Sequence, residues 1–130
     1  MADYTHLNLK EVEDQAPKFD LSPQMEFRSA RVPLGLENAG VSYLRVAPNF
    51  RIPFGHHHNV QEEVYVLLNG SARLKLDDDV IELKPLDAVR IHRETMRNLE
   101  GGPEGAEVIA FGAPNTGPGD GPMTQGWWMD

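Results

Sequence analysis

The chain of 130 residues contains no cysteine. Disulfides, thiolate nucleophiles and cysteine-ligated zinc or iron-sulfur centres are therefore excluded, and the composition fits a reducing compartment. Basic residues are few: 12 Lys and Arg stand against 20 Asp and Glu, for a formal net charge of -8. No Lys/Arg stripe suggests a polyanion site, and the negative average potential repels nucleic acid and anionic membranes. Long apolar runs are also missing. Nothing approaches the ~18–20 residues of a membrane span, and Met1–Lys10 has no apolar stretch of signal-peptide length. The expectation is a cytoplasmic protein without nucleic-acid or membrane partners.

What is present is enough for a packed interior. Forty per cent of residues are hydrophobic and 25% are charged, near the globular average, and the length suits one domain. Residues 1–26 read as an N-terminal arm. Within it, Asn8 caps a short helix over Lys10–Gln15 that Pro17 ends. The arm packs on the domain or reaches across to a partner subunit. Residues 27–112 read as a barrel core, because short runs of β-formers alternate with turn residues. The expected strands are Phe27–Leu34, Val41–Val46, Phe50–Phe54, Glu63–Leu68, Ala72–Leu76, Val80–Leu83, Ala88–His92, Met96–Glu100 and Glu107–Gly112. Asn69-Gly70 is the strongest hairpin signal, since both residues accept the positive φ of a type I′ turn. Gly101–Gly105 reads as a further turn. Asp77-Asp78-Asp79 reads as a solvated turn, lacking the glycine and distal glutamate of a calcium loop. Such spacing implies an all-β sandwich or barrel. The tail, 113–130, is rich in Gly and Pro and reads as irregular. It ends in Trp127-Trp128, which dock on the domain or a subunit interface, or close a pocket mouth.

The chemistry concentrates between Phe54 and Gly70. On an extended strand alternate side chains share a face, so His56 and His58 point together and His57 points away. Glu63 opens the next strand on a face shared with Tyr65 and Leu67. Adjacent histidines are often no more than polar surface. Two imidazoles meeting a carboxylate inside a barrel, however, suit a divalent transition metal (Zn, Fe, Mn or Ni) and leave coordination positions open. Coordination needs neutral imidazoles and an ionised carboxylate, so binding weakens below roughly pH 6.

This stretch resembles the first cupin motif, G-x5-H-x-H-x3-4-E-x6-G. His56, His58, Glu63 and Gly70 match it, while Phe50 stands where the opening glycine is expected. The "EEVYVLLNG" of Glu62–Gly70 strengthens the likeness. "QEEVYV", "PLDAVRI" and the terminal Trp-Trp are similar to a group of small bacterial single-domain cupins. The resemblance covers about residues 40–112. It implies a double-stranded β-helix, a jelly-roll-like cupin barrel, with a metal or small-molecule site inside. It also implies pairing of two copies as a homodimer.

The second cupin motif, G-x5-P-x-G-x2-H-x3-N, is poorly kept. Leu86 and Glu94 replace its glycines, His92 its proline, and Arg97 its metal-binding histidine. A guanidinium stays protonated and offers no lone pair. A divalent ion ~5 Å from it feels roughly 6–7 kcal/mol of repulsion at an effective dielectric of 20, which a coordinating Glu63 offsets. Arg97 could pair with Glu63, or clamp a carboxylate or phosphate of a ligand. His92 could replace the missing ligand, although its turn context favours a surface role. Two functions follow. The first is a metal-dependent enzyme of dioxygenase, isomerase or lyase type on a small anionic molecule. There His56, His58 and Glu63 hold the metal, Arg97 orients the substrate and Tyr65 donates a proton or hydrogen bond. The second is a non-catalytic small-molecule-binding or sensing barrel without metal.

Overall fold

The computed structural model describes residues 1–116 and 119–130; Gly117 and Pro118, in the stretch read as an irregular tail, lie outside the described residues. Eight strands follow one another: β1 (Met25–Ser29), β2 (Gly40–Val46), β3 (Phe54–His56), β4 (Glu62–Leu76), β5 (Asp79–Leu83), β6 (Ala88–Ile91), β7 (Arg97–Ala113) and β8 (Met123–Gln125). All named pairings are antiparallel, in one sheet that curls into a β-barrel. No helix among the described residues is long and apolar enough to cross a membrane.

β4 and β7 organise the rest. They pair along their whole length, from Glu62 opposite Ala113 to Leu76 opposite Arg97. Each changes its inward parity midway. In β4 the buried residues are Tyr65 and Leu67, then Ala72 and Leu74; in β7 they are Leu99 and Gly101, then Ala106, Val108 and Ala110. The break in alternation coincides with register shifts at Leu67/Asn69 and Gly70/Ala72. On one side of this bulge β4 pairs with β6, on the other with β5. One ribbon thus serves both halves of the barrel.

The hairpin expected at Asn69-Gly70 does not form, and neither does the separate turn at Gly101–Gly105. Both segments lie within β4 and β7, facing one another across the bulge. The positive φ of Gly70 (81°) and Gly105 (77°) serves that bulge instead of a chain reversal. The β4–β5 reversal lies instead at Asp77-Asp78, where Asp77 adopts φ 52°. Asp77 also binds Met96 through its backbone N–H and its Oδ1, so the acidic run is the turn the sequence suggests.

Other boundaries moved for local reasons. Phe27–Leu34 divides into β1 and a single helical turn, α1 (Arg31–Leu34), closed by Gly35 in the left-handed region. Phe50–Phe54 is a strand only from Phe54 onward, because Pro53 has no N–H to offer a ladder. Asn8 does cap a helix, by accepting from the Lys10 N–H, but it is a 3-10 turn of Leu9–Glu11 only. Pro17 starts a second such turn, Ala16–Phe19, and ends nothing. The arm packs on its own barrel: Ala16 and Leu21 join the core that Met25, Leu44, Val46, Leu67, Leu74 and Val108 form. Asp14 ties it down by accepting from the N–H groups of Ala16 and Phe27.

The tail is irregular apart from β8, which pairs with β3. Trp128 docks on the barrel wall and is 4% exposed, beneath the guanidinium of Arg51 at 4.1 Å from its ring centroid. Arg51 also donates to the Trp128 carbonyl and pairs with Glu100 and Asp130. Trp127 lies against Gly55, where a Cβ would come within 2.6 Å of its ring. The tryptophans therefore anchor the tail on the domain, and they do not cover the interior.

A Cβ at Gly70 would lie 2.0 Å from the Gly105 carbonyl oxygen, in addition to the strain of an L-residue at positive φ. Gly70→Ala should therefore cost about 2 kcal/mol or more, read as a lower urea midpoint at unchanged slope. An unchanged midpoint would mean that the bulge is not the tight crossing described.

Candidate metal centre

Three neighbouring strands bring the site together. His56 ends β3, opposite Arg97 on β7 and Met123 on β8. Glu63 lies in β4 between Ile91 of β6 and Gly112 of β7. Strand alternation accounts for His56 alone, because β3 ends there. His58 sits in the following loop, its N–H held by the Arg93 carbonyl at 2.7 Å. His56, His58 and Glu63 nevertheless converge as the sequence predicts, with one ligand atom from each within 4.8 Å of the others. The imidazoles meet edge to face, 5.1 Å between centroids. His57 is outside this group. His92 is exposed, its Nδ1 accepting from the Glu94 N–H, and it supplies no replacement ligand.

The sequence reading missed Asp120. Its carboxylate meets His58 Nδ1 at 3.0 Å and accepts from the N–H groups of Asn59, Val60 and Gln61 and from the Thr116 hydroxyl. Those contacts keep it ionised. Burial opposes ionisation, yet the donors, led by His58, hold its carboxyl below the usual carboxylate range. A carboxylate at Nδ1 fixes the proton there and aims the Nε2 lone pair inward. Its one sequence signal was an acid isolated within a Gly/Pro run, which no periodicity distinguishes.

With the proton on Nδ1, His58 Nε2 faces Glu63 Oε1 at 3.2 Å, acceptor against acceptor. Both atoms are buried and lack a hydrogen-bond partner among the described residues. Such a contact calls for a shared proton or a cation. Glu63 also faces His56 Nε2 at 3.7 Å and Arg97 Nη1 at 3.8 Å. Burial raises its carboxyl, but the two histidines outweigh that and bring it down to about 2. His56 is lowered, chiefly by burial, against the pull of Glu63. Burial also works to lower His58, and Glu63 and Asp120 reverse it, so His58 is raised. Two imidazoles and an ionised carboxylate fit a borderline divalent metal.

Arg97 is 0% exposed and donates through Nη2 to the His92 carbonyl. It pairs with Glu63 Oε1 at 3.8 Å, the ion pair the sequence suggests, but without a hydrogen bond. Tyr65 points inward and is 6% exposed; burial, then Glu63, pushes its hydroxyl up, so it remains a donor. Leu86 adopts φ 75°, keeping the left-handed turn where the motif has glycine.

The imidazoles and Tyr65 stand at a neck. They line two adjoining cavities: a chamber of about 230 Å³ that also has Arg97 and Leu99 in its wall, and a vestibule of about 620 Å³ that also has Glu63 and Asp120. Phe19 of the arm lines both.

No family model and no curated protein matches the sequence. Solved structures do match. A cupin protein from Bacteroides fragilis is 21% identical, over 88% of this chain and 86% of that one, at TM-score 0.72. KdgF from Halomonas is 16% identical over 86% and 95%, at 0.68. Oxalate decarboxylase from Bacillus subtilis is 16% identical over 96% of this chain but 33% of its own, at 0.76. The chain therefore has the cupin fold, a β-barrel of jelly-roll type.

In chelator-treated protein, Glu63 is ionised in both folded and unfolded states above its ordinary value of 4.5, and its full contribution is present there. That contribution, up to about 3 kcal/mol, is lost as pH falls from 4.5 toward 2. The histidines act near 6.5 in opposite senses: the share of His58 is lost as pH rises through its raised value, that of His56 as pH falls through its lowered one. Glu63→Gln should therefore flatten the acid limb of urea stability between about pH 5 and pH 2.5. Parallel limbs would contradict this account of the carboxylate.

Proposed function

We propose that the protein is a metal-dependent enzyme of dioxygenase, isomerase or lyase type, acting on a small anionic molecule inside the barrel. The observation that carries this reading is the pair of buried, unpartnered acceptors, His58 Nε2 and Glu63 Oε1, beside His56. Those three residues would hold a divalent transition metal, Zn, Fe, Mn or Ni. Bound there, such an ion supplies Lewis-acid polarisation and open positions for substrate.

The remaining residues have separable tasks. Asp120 orients His58 through Nδ1 and sets its tautomer. Tyr65, protonated well above neutral pH, donates a hydrogen bond or proton at the neck. Arg97 draws an anionic group into the chamber and compensates it there. The chamber wall is largely aromatic and aliphatic, and its low polarity strengthens each of these interactions.

A second reading has one observation in its favour. Arg97 occupies the place of the histidine of the second cupin motif, and its charge lies 3.8 Å from Glu63. A barrel that binds or senses a small molecule without metal could use that partial compensation. Distinct proteins share the fold, among them the nucleoside dehydratase Pac13, 13% identical over 96% of this chain and 92% of that one, at TM-score 0.72. The fold therefore does not choose between the readings.

Metal content does. Untagged protein should carry close to one equivalent of a transition metal by elemental analysis, with a melting temperature that falls after chelation and recovers on reloading. His58→Ala should lose the metal and the chelator response together. A metal-free protein that also refuses reloading, or His58→Ala with unchanged metal content, would favour the non-catalytic reading.

A further inference from the structure

The two compartments inside the barrel differ in charge as well as in walls. As in the proposed function, the interior is taken as the place where ligand binds, and nothing further of that reading is used. Among the described residues Arg97 is the one permanently charged side chain in the chamber wall; Glu63 and Asp120 line the vestibule, with Glu63 Oε1 3.8 Å from Arg97 Nη1. Of the guanidinium donors, Nη2 is taken by the His92 carbonyl, while Nε and Nη1 are buried and have no hydrogen-bond partner among the described residues. A fully buried cation with unmet N–H groups calls for acceptor oxygens.

Among the described residues no side chain of the wall gives these donors a hydrogen bond. Asn98 spends its amide on the Ile52 carbonyl and its oxygen on the Leu99 N–H. Around Arg97 the wall is apolar, with Phe27, Leu44, Ile52, Phe54 and Leu99. A dry apolar cavity of about 150 Å³ accommodates benzene. About 230 Å³ therefore takes a body of that size with a short arm. We infer that the chamber binds a small monocarboxylate with an apolar body, its carboxylate on an unpartnered N–H of Arg97 and its body against Phe27, Leu44 and Ile52. A compact dianion finds there only one cation and an apolar wall, so it binds poorly.

Calorimetric titration of the full chain with phenylacetate, phenylacetamide and oxalate tests this, once in EDTA and once with zinc. The acid should bind roughly tenfold or more tightly than its neutral amide in both buffers, with oxalate weaker than either in EDTA. Arg97→Met, which keeps bulk and removes charge, should abolish the preference of acid over amide. The wild-type ratio needs no variant, so an Arg97 substitution that fails to fold leaves the proposal testable. Equal affinity of acid and amide, no binding of either, tight oxalate binding in EDTA, or a preference that survives Arg97→Met would each overturn it. A preference present only with zinc would overturn it as well, since the carboxylate would then sit on the metal. If zinc does not bind but the preference holds in EDTA, the metal reading fails and this one stands.

Discussion

The site depends on one buried carboxylate. Glu63 brings a negative charge to the junction of β4, β6 and β7, and three nitrogen-bearing side chains surround it: His56 at 3.7 Å, His58 at 3.2 Å and Arg97 at 3.8 Å. Arg97 gives Oε1 no hydrogen bond, and His58 gives it one only when Nε2 carries a proton. Burial alone would protonate such a group, yet its neighbours keep it ionised. A site that retains an anion while leaving its oxygen unpartnered favours a positive occupant. Asp120 reinforces the same balance from outside, since it occupies the Nδ1 side of His58 and leaves only Nε2 to face inward.

The barrel makes this arrangement possible by sharing one ribbon between its two halves. Because β4 and β7 both change inward parity at the bulge around Gly70 and Gly105, Glu63 on one half reaches the same interior as Arg97 on the other. The arm and the tail then shape what the strands leave open. Phe19 lines both compartments and Gly121 reaches the neck, while Trp128 under Arg51 pins the tail end to the outer wall. Segments without regular structure thus contribute as directly to the interior as the strands do.

Much of this was legible in the sequence. Runs of β-formers between turn residues placed most strands, and the likeness of His56, His58, Glu63 and Gly70 to the cupin motif pointed to both the barrel and the converging ligands. The main misreading came from physics that a local pattern does not contain. A glycine at positive φ serves a hairpin or a bulge equally well, and only the pairing partner, here Gly105 and its neighbours on β7, decides between them. Asp120 was hidden for a related reason: 62 residues separate it from His58, and the Gly/Pro run around it carries no periodicity. Arg97 was recognised as a departure at the right position. Its state, buried with two unmet donors and paired with Glu63 without a hydrogen bond, required coordinates.

The central claim is that His58 presents Nε2, and not Nδ1, to a cation shared with His56 and Glu63. Imidazole nitrogen NMR of the full chain, before and after addition of zinc, tests it most directly. The account predicts that zinc shifts one nitrogen each of His56 and His58, that His58 keeps its proton on Nδ1 beside Asp120, and that His6, His57 and His92 do not respond. A spectrum unchanged by zinc, or a response carried by His57 or His92, would contradict it.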